Sequence, residues 1–289
     1  MRSDIELLRV VSAFGIVWFH SGYQYGGDLA YGGLIVFLIL STYFAGVSEK
    51  THSIRARASR LLIPCVLWAV LYGALSIIRD QPLFPSDYSF VSKVLSTPSI
   101  HLWYLPFVFF WIIVIDNITK YIAPKKLAIV ITIMVSILLL ASPQWRQWSY
   151  ASPFGQYMHA FPAILIGMLL ASSHTLSRTL KICLISTVSV SMLYVFWANI
   201  QGVSLTYLVG ISSTFILLKK KSFLPENNII IKFSGLTFGI YLLHPLILFL
   251  LRHVGIGSII LPIMGFLISA LCIFISSKII PKPILKFIM

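Results

Sequence analysis

The sequence predicts an all-α fold, a polytopic membrane protein with about ten transmembrane helices and both termini in the cytoplasm. Three observations carry this expectation. Hydrophobic residues make up 58% of the 289 residues and charged residues only 10%. Apolar stretches of membrane-crossing length follow one another with short polar breaks between them. The basic residues gather in alternate breaks. The hydrocarbon core takes about 20 apolar residues per helix, so ten crossings use roughly 200 residues. The remainder is enough only for short loops, and residues 1–289 are expected to form a single integral membrane domain.

The predicted spans lie near 5–23, 30–48, 61–79, 101–118, 127–142, 157–172, 181–199, 203–218, 235–252 and 258–278. The first could pass for a secretory signal. Its leading stretch is acidic as well as basic, no small-x-small cleavage site follows and it contains Arg9, so it is read as a helix of the mature protein. With the N-terminus inside, the inner segments hold 17 Lys and Arg and the outer loops hold Arg79, Lys93, Arg146 and Arg252. Cytoplasmic loops collect such residues, which sets the orientation. Positive loops against anionic lipid also account for the +14 net charge without a nucleic acid partner.

Cys65, Cys183 and Cys272 stand singly in apolar spans, with no metal or redox spacing, and are read as packing residues. The eight acidic residues are dispersed, and no metal site is expected. There is no internal repeat and no low-complexity tract. Two outer loops stand out. The segment 79–100 is the longest, and holds Asp80, Pro82, Pro85, Asp87 and Tyr88. The segment 142–156 carries Trp145, Trp148 and Tyr150, rings that anchor to lipid headgroups and also suit stacking on sugars.

Ionisable residues inside an apolar span are costly and mark paths or sites. In the first span Arg9 and His20 are eleven residues apart, a rotation of about 1100° on a helix, so they share one face about 16 Å apart along the axis. Ahead of the third span, Arg57 and Arg60 stand at i, i+3 and project from one helical face at the cytoplasmic surface. They read either as a positive-inside cluster snorkelling to headgroups or as a fork for a phosphorylated ligand. His101 opens the fourth span at the outer rim, at a depth comparable with His20. His244 precedes Pro245 in the ninth span, where the proline frees a backbone carbonyl and can kink the helix.

These stretches together resemble the acyltransferase 3 family of membrane O-acyltransferases. Arg9 and His20, with ten residues between them, resemble its first-helix motif. Arg57-Ala-Ser-Arg60 resembles its Arg-x-x-Arg motif. His101-Leu-Trp103-Tyr-Leu and Tyr241-Leu-Leu-His244-Pro245 resemble two further blocks. The stretch from Gly33 to Gly46 resembles the second-helix block, with Ser41-Thr42 where Ser-Gly is usual, a departure that hints at tighter packing.

The resemblance implies transfer of an acyl group, most often acetyl, from cytosolic acyl-CoA to a hydroxyl of a cell-surface polysaccharide or lipid-linked glycan. It implies a multi-pass protein of the cytoplasmic (inner) membrane, acetyl-CoA as donor substrate rather than a bound cofactor, and polysaccharide-assembly proteins as partners. Some relatives carry a C-terminal extracytoplasmic hydrolase-like domain. This chain is expected to be the stand-alone form, acting on the acceptor itself or through a separate protein. Arg57 and Arg60 are expected to hold the CoA phosphates, and Arg9 to orient the pantetheine arm or thioester carbonyl. His20 is expected to take the acceptor's proton or briefly carry the acyl group. His101 is assigned to positioning His20 or the acceptor, and Trp103, Tyr241 and His244 to substrate binding. A thioester is already activated, so no metal is required. The rival readings are a proton-coupled exporter of a small polar solute and a non-catalytic assembly or lipid-binding component. The exporter lacks the paired halves common in transporters.

Overall fold

The computed structural model describes residues 2–48, 53–148, 150, 152–219, 221–281 and 285. Those residues form helices and connecting turns, with no strand among them. In chain order the helices are α1 (Ser3–His20), α2 (Gly27–Val47), α3 (Ile54–Ile78), α4 (Phe90–Ser96), α5 (Tyr104–Tyr121), α6 (Pro124–Leu140) and α7 (Ser142–Gln147). They continue as α8 (Phe154–Ser172), α9 (Arg178–Trp197), α10 (Ser204–Thr214), α11 (Asn228–Ser234), α12 (Thr237–His253) and α13 (Leu261–Ile279). Single 3₁₀ turns precede α5 at Ile100–Trp103 and extend α10 at Phe215–Leu218.

A helix lies over each of the ten predicted segments. Among the described residues six helical stretches have the length and apolar character to cross a membrane alone, and α11 with α12 make a seventh if that bent pair is one span. α1 has the length but carries Asp4, Glu6 and Arg9. The predicted outer loops are partly ordered as helix, at α4 within 79–100 and at α7 within 142–156. Trp145 is not an interface anchor. It is buried, and its Nε1 donates to the Leu138 carbonyl at 2.7 Å, whereas Trp148 is well exposed. Lys50, Lys220, Lys282, Lys286 and both chain ends, which entered the orientation argument, lie outside the described residues.

Pro245 does not end α12, which runs through it to His253. A bend lies ten residues earlier. α11 and α12 meet at 54° across Gly235 and Leu236. The start of α11 is fixed by Asn227, whose side chain accepts from the Ile229 and Ile230 amides.

The described residues form two compact units. The first holds those of Met1–Leu40 and Ser186–Leu285, and the second those of Ser41–Ile185. In the first, Ala13 and Val17 of α1 pack with Ile240, Ile247, Leu248 and Leu251 of α12 and with Leu261, Phe266 and Ala270 of α13. Lipid is as apolar as these side chains, so close approach rather than escape from water must hold such helices together. α1 and α2 show it. A Cβ on Gly15 would lie 2.5 Å from the Ala30 carbonyl oxygen, and one on Gly33 would collide with that of Ser12.

In the second unit α8 is the central helix, buried at every position from Ala163 to Ala171. Its end is tied to α2, where the Tyr43 hydroxyl lies 2.8 Å from His174 Nε2. Ser41, one of the two residues departing from the second-helix block, is bonded to the Tyr104 hydroxyl at 3.0 Å, and Thr42 is fully buried.

Candidate functional site

The polar groups of the first unit gather at both ends of α1. At its start, Asp4 pairs with Arg2 at 2.7 Å, and Arg2 also donates to the Ile216 carbonyl at 2.8 Å. Burial pushes the Asp4 carboxyl up. The Arg2 guanidinium, with hydrogen bonds from Ser222 and the Ile5 amide, outweighs that and holds it below the usual carboxylate range. Asn227 donates its amide to Ser3 Oγ at 2.8 Å. This end of α1 is therefore tied to the segment between α10 and α11.

One turn further, Glu6 is buried and makes two polar contacts. It accepts from Arg9 Nη1 at 3.1 and 3.2 Å and from the hydroxyl of Ser234, the last residue of α11. The Glu6 side chain is 6% exposed and that of Arg9 32%. Arg9 is thus steered by a carboxylate on its own helix, which in turn is fastened at the bend between α11 and α12.

The other end of α1 carries His20. Its ring lies 5.1 Å, centre to centre, from that of His244, at an interplanar angle of 48°. His244 is fully buried. The sequence around it explains its orientation. Proline has no N–H, so Pro245 leaves the carbonyl four residues back, that of Tyr241, without its helical donor. His244 Nδ1 takes that carbonyl at 2.7 Å. A carbonyl only accepts, so Nδ1 carries the proton, and in the neutral ring Nε2 keeps the lone pair. Arg252, in the last turn of α12, donates through Nη2 to the His20 carbonyl at 2.9 Å. α1 and α12 therefore end on the same side and run parallel.

In the second unit Arg57 and Arg60 lie in the opening turns of α3 and not in a loop, with Ser53 capping the helix. They differ in environment. Arg57 is 10% exposed in its side chain and is ion-paired with Asp116 of α5 at 2.5 Å, while Arg60 is exposed. The expectation that both lie at the surface holds only for Arg60. At the opposite end of this unit His101 is buried in the 3₁₀ turn, its Nδ1 2.7 Å from Ser99 Oγ and its ring edge-on to Tyr72 at 5.1 Å. Trp103 is buried as well, between Phe107 and Tyr157 at 5.7 and 5.8 Å. Near the ends of α2, α5 and α8 and the start of α6, a small cleft is lined by Gly46, Thr119, Leu127, Met168, Ser172 and Thr175.

A family model described as an acyltransferase domain matches residues 2–280. The chain belongs to the acyltransferase 3 family. No curated protein and no solved structure matches it in the corresponding comparisons. Membership makes this chain a membrane acyltransferase in general terms, and gives the exporter reading no support.

Within this acyltransferase the structure brings His20 and His244 together, and Tyr241 with them through its backbone carbonyl. Arg9 and His20 share a helix but have different neighbours at its two ends. Arg57, Arg60, His101 and Trp103 belong to the other unit. Sequence reasoning passed over Glu6, Asp116 and Arg252. Glu6 had a legible signal, a carboxylate at i, i+3 to Arg9. Asp116 and Arg252 had none, because their partners are distant in the chain.

Proposed function

We propose that this acyltransferase moves an acyl group, most readily acetyl, from cytosolic acyl-CoA to a hydroxyl of a cell-surface polysaccharide or lipid-linked glycan. It does so in the inner membrane as one domain of ten spans with both termini in the cytoplasm. The observation that carries the chemistry is the pair of His20 and His244. One ring has its tautomer set by a carbonyl, and the other lies next to it on the helix that also bears Arg9. The parallel course of α1 and α12 supports the span count, since the first and ninth crossings must run the same way.

His20 takes the proton from the acceptor hydroxyl, and His244 is the neighbour that orients it and can pass the proton on. The alkoxide attacks the thioester carbonyl. The tetrahedral intermediate collapses with loss of the CoA thiolate, which is reprotonated. Arg9, aligned by Glu6, polarises the thioester carbonyl or holds the pantetheine arm. Within the second unit taken by itself, the exposed Arg60 is the group suited to a phosphate such as those of CoA, and Arg57 only to the extent that Asp116 releases it. Mass spectrometry of cell-surface glycans with and without the protein tests this. A mass difference of one acyl group on a sugar supports it. Unchanged glycans in a strain expressing the folded protein overturn the acceptor assignment.

A further inference from the structure

The side of α1 that carries His20 has a cation the reaction scheme does not use. Arg252 is exposed, and one of its five N–H donors is spent on the His20 carbonyl. Among the described residues no carboxylate pairs with it. Capping the end of α1 explains that single hydrogen bond. It also holds the guanidinium beside His20, and among the described residues no further hydrogen bond from it is seen.

The turn that follows α1 comes close to this guanidinium, since a Cβ on Gly22 would lie 3.7 Å from Arg252 Nη2, and aromatic residues flank that turn. Phe19 stacks on Tyr31 at 4.1 Å. Tyr23 sits between Trp18 and Tyr25, at 5.9 and 5.6 Å. Tyr25 is 73% exposed. The turn that presents these rings is held by Trp18 Nε1, which donates to the Tyr25 carbonyl at 3.2 Å. Gly22 and Gly26 turn the chain with φ of 70° and 74°, a region open to glycine without strain. A partly exposed ring cluster on the turn next to this guanidinium combines the apolar face that sugar C–H groups stack on with a fork that fits an oxyanion bidentately.

We infer that the acceptor is an anionic sugar, carrying a carboxylate or phosphate near the reacting hydroxyl, and that Arg252 binds that group. This rests on His20 being the group that meets the acceptor. The anion held by Arg252 would set which hydroxyl faces His20.

The test uses the full-length protein in phosphatidylcholine nanodiscs, with sugar binding read by saturation-transfer NMR. Glucuronate and glucose 1-phosphate should bind, and glucose should bind markedly less. Arg252→Gln should weaken the anionic sugars by about tenfold or more, the loss expected for a charged hydrogen bond. Arg252→Lys keeps a charge and a cap donor, and should fall between. Equal binding of glucose, no binding of either anion to the wild type, or undiminished binding to a folded Arg252→Gln would overturn the proposal. Phosphatidylglycerol in the discs should leave the sugar signal in place. If it abolishes the signal, the site belongs to a lipid headgroup and the proposal fails. His20→Ala should keep sugar binding while losing transfer, so the failure of the reaction scheme and the failure of this subsite are seen in different measurements.

Discussion

The imidazoles of His20 and His244 lie 5.1 Å apart, centre to centre, and the second is held by the Tyr241 carbonyl, to which Pro245 has no N–H to donate. If they serve one proton transfer, their losses will not add. His20→Ala and His244→Ala should each lower the rate by about 10²–10⁴-fold, the usual contribution of a positioned acid or base. The double variant should be little worse than the more damaging single one. Single-turnover acyl transfer measures this. Multiplying losses would mean separate roles.

Glu6 holds Arg9 and Ser234 at once. Glu6→Gln keeps a hydrogen-bond acceptor for Ser234 but removes the charge facing Arg9. It should lower kcat/KM by about tenfold with little loss of folded protein, because Arg9 is a third exposed and the pair is partly screened. Glu6→Asp shortens the reach and should restore less than full activity. Wild-type kinetics in Glu6→Gln would leave the carboxylate a purely structural anchor.

Arg57 and Arg60 should separate. Arg60→Gln should weaken the apparent affinity for acyl-CoA at unchanged protein level, since the residue is exposed. Arg57→Gln strips Asp116 of its ion partner and should also cost about 1–3 kcal/mol of stability. Thermal denaturation in detergent alongside donor titration resolves the two effects. Equal melting temperatures for both variants would contradict the structural difference between them.

The orientation is testable by cysteine labelling in a chain whose three native cysteines are replaced. Ser86→Cys, in the segment between α3 and α4, should react with an impermeant reagent in cells whose outer envelope is permeable. Ser53→Cys, at the cap of α3, should not. The reverse pattern would invert the topology.

The helices were legible because the apolar runs recur along the chain, and a helix stands over every segment so marked, although among the described residues only six, or seven with the bent pair, are long and apolar enough to cross a membrane alone. The bend at Gly235 was not, since the apolar run continues through it while the backbone turns by 54°. Pro245, the conspicuous breaker, is carried within α12 because His244 takes up the carbonyl it frees. Arg9 and His20 stood out as ionisable groups on one stripe. What each touches depends on tertiary pairing. Glu6 could be read from its spacing to Arg9, but only tertiary pairing puts Ser234 at one end of α1, and His244 and Arg252 at the other. The same holds for Arg57, whose charge is met by Asp116 from another helix. Local spacing reports a shared face and says nothing of the partner across from it.

The most direct measurement is transfer of labelled acetyl from acetyl-CoA to the glycan fraction of membranes, by purified protein in proteoliposomes, with wild type beside His20→Ala and Arg9→Ala. Wild type should label the glycan. Both variants, shown to be folded, should label it at least about 10²-fold more slowly. Labelling at the wild-type rate by either variant would contradict the central claim that Arg9 and His20 carry the reaction.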